Sequence, residues 1–377
     1  MKYSIDARGA NLYKGSGLGT YTENLLYAIL KLDTANSYTI FWAGDNYEDL
    51  KNSNSNIVLT SKKHGMFYEN YYYPEYLKNN NIDLHHIPQN GIGLSTQYTT
   101  PAIVTIHDLI PYILPETVGP GYLERFLKDM PNIINQTKTI LTVSEYSKQD
   151  VLKFFPKFPS DRIFVTPLAA NKNYIPLNRT FCSDYLKYKF QIEGPYILYF
   201  GGFSKRKNVK ELVLAFDKIS SSLKKDYKLL LCGSLRDEGL KLKEMCSQLS
   251  TSDKIIFPGF IEDKDVPIFY NSADLFAYPS LYEGFGLPPL EAMSCKTAVI
   301  TSNLTSIPEV TSDNAILINP FDKDQLASEM LSILNCESKL NEYEERGYTQ
   351  SLNFTWEKTA ELTIKAYDIT ASSLSQE

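Results

Sequence analysis

Short runs of β-branched and aromatic residues alternate along the chain with stretches whose apolar residues recur every three to four positions. In the first half this pattern predicts strands at 2–6, 38–43, 57–60, 82–87, 102–106, 139–143 and 163–166. Leu25, Leu26, Ile29 and Leu30 share one face of a helix predicted at 20–32. Strands separated by amphipathic helices predict βαβ units and a mostly parallel sheet. The rhythm lapses over 168–195, which carries Asn171, Asn173, Pro176, Asn178 and Gly194-Pro195, so a linker is expected near 170–190. It resumes with strands predicted at 196–200, 227–232, 255–257, 275–278, 298–301 and 315–318, and helices at 209–220, 240–249, 266–273 and 288–294. Ala360, Ile364 and Tyr367 space a terminal helix, with 371–377 expected to fray. The two halves share no detectable repeat, which predicts two α/β domains, 1–175 and 185–356, rather than an array.

Composition narrows the classes. A length of 377 residues with 43% hydrophobic and 22% charged content suits two globular domains with real cores. The 38 basic and 44 acidic residues leave a net charge of −6, which argues against a general nucleic-acid binder. Five cysteines without CxxC pairs fit reduced thiols and a cytoplasmic setting. The N-terminus lacks the apolar core of a signal peptide and no apolar run approaches the ~18 residues of a spanning helix, so any membrane contact is expected to be peripheral. The 27 tyrosines are the one oddity, read as amphipathic packing at loops and cleft walls.

Four places could carry chemistry. Gly15-Ser16-Gly17-Leu18-Gly19 precedes a helix, where backbone N–H groups can approach a phosphate or sugar. A dinucleotide fingerprint would need a third glycine where Thr20 stands, which weakens a nicotinamide-dependent oxidoreductase, the rival reading. His107 closes a predicted strand at the carboxyl edge of a parallel sheet, the usual ligand side. Lys205, Arg206 and Lys207 follow a buried strand and a glycine turn and precede a helix, a place suited to a diphosphate. In Glu283-Gly284-Phe285-Gly286-Leu287-Pro288-Pro289-Leu290-Glu291, two carboxylates and the N–H groups of 284–287 gather at one helix start. Buried carboxylates need hydroxyls or a cation, and a polyhydroxyl ligand supplies the former. Asp263-Lys264-Asp265 and Asp322-Lys323-Asp324 are read as helix caps, and no metal site is expected.

These motifs together resemble the family-4 retaining glycosyltransferases of the GT-B fold. Asp6-Ala7-Arg8 with Gly17-Leu18-Gly19-Thr20-Tyr21-Thr22 is similar to that family's opening loop, and Thr142-Val143-Ser144-Glu145-Tyr146-Ser147 to an interior segment. Arg206-Lys207-Asn208 resembles its phosphate clamp, Phe257-Pro258-Gly259-Phe260 its nucleobase loop, and Glu283 with Glu291 its E-x7-E spacing. Many members place an arginine after the first glycine of the phosphate loop; here that position is Gly202, and Arg206 takes over. The resemblance implies two Rossmann-like domains with parallel sheets facing across a cleft, and a terminal helix 357–377 that crosses back to the first. It implies transfer of a hexose, mannose-like by subgroup, from a nucleotide diphosphate-sugar to a glycan or lipid-linked acceptor in cell-surface polysaccharide synthesis. The donor is a co-substrate, no cofactor or metal is required, and the enzyme works in the cytoplasm, at the inner face of the membrane. His107, Glu283, Lys207 and Arg206 take catalytic roles. Glu291, Gly284, Phe285, Gly286, Leu287, Phe260, Gly17 and Gly19 bind the donor. The remaining rival is a paralogue that binds nucleotide-sugars without chemistry.

Overall fold

The computed structural model describes residues 1–374. Two compact units divide it: residues 1–169 with the chain from Thr355 onward, and Ala170–Phe354. In the first unit, β1 (Lys2–Asp6), β2 (Ser37–Trp42), β3 (Ser55–Leu59), β4 (Leu84–Ile87), β5 (Ala102–Ile106), β6 (Thr137–Thr142) and β7 (Ile163–Val165) form a parallel sheet in the order β3-β2-β1-β4-β5-β6-β7. In the second, β8 (Tyr196–Phe200), β9 (Lys228–Cys232), β10 (Ile255–Gly259), β11 (Leu275–Tyr278), β12 (Ala298–Ser302) and β13 (Ile316–Ile318) form another, in the order β10-β9-β8-β11-β12-β13. Each strand expected from the pattern is present, with ends shifted by a residue or two.

Helices cover both faces of a parallel sheet, so its inner strands are buried on both sides. Polar residues in such strands must find partners inside. His85 and His86 are consecutive on β4 and fully buried, so their rings leave opposite faces. The His85 Nδ1 meets Ser4 Oγ at 2.8 Å; the His86 ring meets Thr105 Oγ1 at 2.8 Å and Tyr367 Oη at 2.6 Å. Both are structural, as their place within a strand leads one to expect.

The expected linker differs. Residues 170–190 hold a helix, Arg179–Phe190, that packs in the second unit on the helix Val266–Ser272. Cys182 and Leu186 give it a buried face too narrow to stand out against its polar surroundings. The terminal helix Trp356–Leu374 belongs with the first unit: Thr359 donates to the Pro167 carbonyl at 2.6 Å, Thr370 meets Thr139 at 2.8 Å, and Tyr3 donates to Asp368 at 2.7 Å. The last residues of the stretch expected to fray, 375–377, lie outside the described residues, while 371–374 are helical.

Candidate active site

Ligands of open parallel sheets sit at the carboxyl ends of the strands, where the strand order reverses. In the second unit that reversal falls between the neighbours β8 and β11. Two loops leave there, 201–208 and 279–286, and they carry the cations and the first carboxylate. Lys205–Lys207 forms a single 3₁₀ turn, closed by Asn208 in the left-handed region at φ 57°. The turn splits the cation run: Lys205 faces solvent, while Arg206 and Lys207 turn inward. The Arg206 carbonyl accepts from Leu281 N–H at 2.8 Å, and its guanidinium donates to the Tyr282 carbonyl at 2.5 Å, stitching the loops together.

Glu283 lies at the centre, 9% exposed. Its Oε1 accepts from Lys207 Nζ at 2.7 Å, Ser280 Oγ at 2.5 Å and Tyr278 Oη at 3.0 Å, with Arg206 Nη1 at 2.9 Å. Lys207 also donates to Tyr278 Oη and sits over that ring, 4.9 Å from its centroid. Burial alone pushes the Glu283 carboxyl up, but the Lys207 and Arg206 charges and the Lys207 and Ser280 hydrogen bonds outweigh it and bring it down to about 2. The carboxylate is ionised and locked by one oxygen. Tyr278 and Ser280, the last residue of β11 and a loop neighbour, were not singled out by the sequence; a hydroxyl three or five residues from a buried acid is too common a pattern to be a signal.

Glu291 has the opposite environment. It projects from the helix Leu287–Ser294, and Tyr270 Oη donates to its Oε2 at 3.2 Å. Among the described residues no cation pairs with it. Burial, together with the Asp263 charge, pushes its carboxyl up to about 8 against the Tyr270 and Tyr174 hydroxyls. Gly286 starts the helix at φ 114°, and a Cβ there would stand 2.9 Å from Ile307 Cδ1, so glycine is required. Pro288 and Pro289 have no N–H, so backbone donors at this helix start come from the loop residues 284–287 alone. The Phe285 ring is buried edge-on against Phe354, so only its backbone can serve a donor. Phe260 is 67% exposed past the end of β10, two strands from β8 and so ~10 Å aside. Pro258 and Gly259, expected in a loop after Phe257, extend that strand.

In the first unit the strand order reverses between β1 and β4. There Arg8 Nε and Nη2 pair with both oxygens of Asp6 at 2.8 and 2.7 Å, Nη2 reaches Glu69 at 3.1 Å, and Gln89 donates to Asp6 at 2.9 Å. Sequence reading matched Asp6 and Arg8 to a motif without a role and missed Glu69 and Gln89, which only the fold brings to this edge. His107 follows β5. Its Nε2 donates to the Pro88 carbonyl at 2.8 Å, its N–H to Asn90 Oδ1 at 2.8 Å, and Tyr21 packs edge-on at 4.6 Å. Burial lowers its pKa to about 4, so the ring is neutral, with its proton held on Nε2.

The glycine loop departs from expectation. A short helix, Gly9–Leu12, separates it from β1, and the following helix begins at Gly17 rather than Thr20. Ser16 caps that helix by accepting from the Gly19 N–H, and a Cβ on Gly19 would stand 2.3 Å from the Tyr13 carbonyl oxygen. Chain packing therefore accounts for Gly19, and its N–H is already taken; Gly17 is the first, exposed residue of the helix. Asp322 caps as expected, accepting from the Asp324 and Gln325 N–H groups. Asp265 stands at a cap position, but its side chain does not cap; Tyr185 and Lys189 donate to it instead, at 2.7 and 2.6 Å. Cavities of about 480 and 430 Å³ lie at the amino ends of strands, at the starts of β8 and β6, and no residue of the candidate site lines them.

The family described as "Glycosyl transferases group 1" matches residues 187–350, the span holding Lys207, Glu283 and Glu291. O-antigen chain mannosyltransferase B of Escherichia coli is 35% identical over 269 residues, 71% of this chain and 70% of that protein. The chain belongs to the group 1 glycosyltransferases. A second relative, the serotype-specific mannosyltransferase WbdA of Escherichia coli, is 30% identical over 272 residues, and the match spans 70% of this transferase but 33% of that longer protein. Among solved structures, HepE of Anabaena in complex with UDP and glucose shares the fold with a TM-score of 0.74 at 15% identity, over 97% of this chain and 99% of that one. The expected α/β fold of two parallel-sheet domains and the expected glycosyltransferase activity both hold; the oxidoreductase and non-catalytic readings find no support.

Proposed function

We propose that this glycosyltransferase moves a mannose, with retention of configuration and without a metal, from a nucleoside diphosphate-sugar to a lipid-linked glycan at the cytoplasmic face of the membrane. The observation that carries the reading is the Lys207–Glu283–Arg206 cluster at the strand reversal of the second unit. The sugar is argued from the two relatives, both named mannosyltransferases, and the donor class from the UDP in the HepE structure.

The donor diphosphate lies against Lys207, Arg206 and the N–H groups of 284–287, which meet the negative charge that grows as the glycosidic bond breaks. Glu283 orients the two cations through Oε1 and offers Oε2 to the sugar hydroxyls. Its low pKa and its four donors on one oxygen make it a poor nucleophile, which favours same-face attack, with the leaving phosphate taking the acceptor proton, over a covalent glycosyl-enzyme. Glu291 holds the ribose and Phe260 the base. The acceptor lies with the first unit, and the neutral His107 there is assigned a catalytic role. Thermal-shift screening of nucleoside diphosphate-sugars, then mass and NMR analysis of products on lipid-linked glycans, tests this. An α-mannoside is expected; turnover of another hexose or inversion at the anomeric carbon overturns that part, and the absence of transfer from every donor overturns the whole.

A further inference from the structure

Past the edge strand β3 the chain runs through a 3₁₀ turn, Lys62–His64, a helical turn, Gly65–Phe67, a π-helical turn, Tyr68–Tyr72, and the helix Tyr73–Asn79. One side of this run is anchored. Tyr73 and Leu77 are fully buried, Tyr73 against Phe41 at 4.1 Å, and Glu69 reaches Arg8 at the reversal of the first sheet. The other side carries large apolar residues in water: Met66 is 78% exposed, Tyr71 69%, Phe67 55% and, on β3 itself, Leu59 51%. Phe67 and Tyr71 stack on one another at 6.2 Å, so these rings pack mutually and stay outside the core.

Isolated exposed apolar residues need no explanation, but a contiguous set does. The charges here sharpen the case. Between 61 and 74 the basic and acidic residues are Lys62, Lys63, His64 and Glu69. Glu69 is turned inward onto Arg8, whereas Lys63 and His64 are exposed beside Met66 and Phe67. The segment's only acid is thus withdrawn, and its outer side combines apolar bodies, phenol tips and positive charge. Side chains of that kind settle where acyl chains meet phosphate headgroups.

We propose that the outer face of residues 59–72 docks this enzyme on an anionic lipid bilayer. The inference takes a membrane-borne acceptor from the proposed function and places the contact beside the Arg8–Glu69 pair. Its test does not use turnover, so the two readings fail separately. The full chain is sedimented with vesicles of phosphatidylcholine, with or without phosphatidylglycerol. Binding is expected on the mixed vesicles and to weaken with salt. Replacing Met66, Phe67 and Tyr71 together by serine is expected to weaken it at least about tenfold. Lys63→Glu is expected to weaken it about fivefold or more on anionic vesicles alone. Thermal unfolding and nucleoside diphosphate binding serve as the check that each variant is folded. Wild-type protein left in the supernatant, a triple variant that binds as wild type does, or a patch that proves to hold two copies of the chain together in solution overturns the proposal.

Discussion

The reversal points of the two sheets share a topology and differ in electrostatics. In the first unit the acids outnumber the cation: Arg8 is held by both Asp6 and Glu69, and His107 is neutral, its proton committed to a carbonyl. In the second unit two cations converge on one carboxylate oxygen, leaving net positive charge beside a loop rich in backbone donors, with a second carboxyl one helical turn away that burial keeps protonated near neutral pH. A strand reversal therefore supplies a place for a ligand, and the side chains on its loops decide the charge of that ligand. On the proposed function, the second unit's net positive charge suits the donor's anion, and the first unit offers no such charge.

The sharpest way to break this contrast is Lys207→Ala, expected to cut turnover by ~10²-fold or more because the ammonium acts on charge that develops in the transition state. Steady-state kinetics on a variant with a native circular dichroism spectrum measures it; wild-type turnover would remove Lys207 from the site. Glu283→Gln is expected to lower kcat by roughly tenfold to a hundredfold with less change in KM, since it loosens both cations. It also carries a pH signature. The folded pKa lies below the ordinary value, so the ionised carboxylate adds about 3 kcal/mol above pH 4.5 that is lost as pH falls towards 2. Urea midpoints taken between pH 6 and 3 should fall more steeply for wild type than for the variant.

Glu291 tests the other half of the contrast. Its folded pKa is raised, so its contribution is present below about pH 4.5 and is lost as pH rises through about 8. If ribose hydroxyls donate to its carboxylate, binding a nucleoside diphosphate at pH 7 should release up to about one proton, read by calorimetry in buffers of different ionisation heat. Glu291→Gln should release none, bind roughly tenfold more weakly and outlast wild type in stability above pH 8. Equal proton release by the variant would move the ribose elsewhere. The smallest expected effect is that of a chelator: with Lys207 and Arg206 meeting the diphosphate, EDTA should change the rate less than about twofold, and a loss restored by magnesium would overturn the metal-free reading.

What the sequence determined by itself was the set of elements and the neighbourhood of the charges. Hydrophobic period is a local property, so the strands of both sheets could be read directly, as could the placing of Lys207, Glu283 and Glu291 on loops and a helix start. The helix Arg179–Phe190 was missed because its buried stripe is two residues wide, and the packing that requires Gly19 was missed because the carbonyl it must clear belongs to Tyr13, in a turn that sequence does not draw. The tertiary structure alone decided which groups meet. Lys207 and Glu283 are 76 residues apart, Arg8 and Glu69 61, and His86 and Tyr367 281. It also decided protonation: two glutamates eight residues apart in one motif end up near 2 and near 8, because a pKa is set by burial and by neighbours in space, and neither is written in the order of residues along the chain.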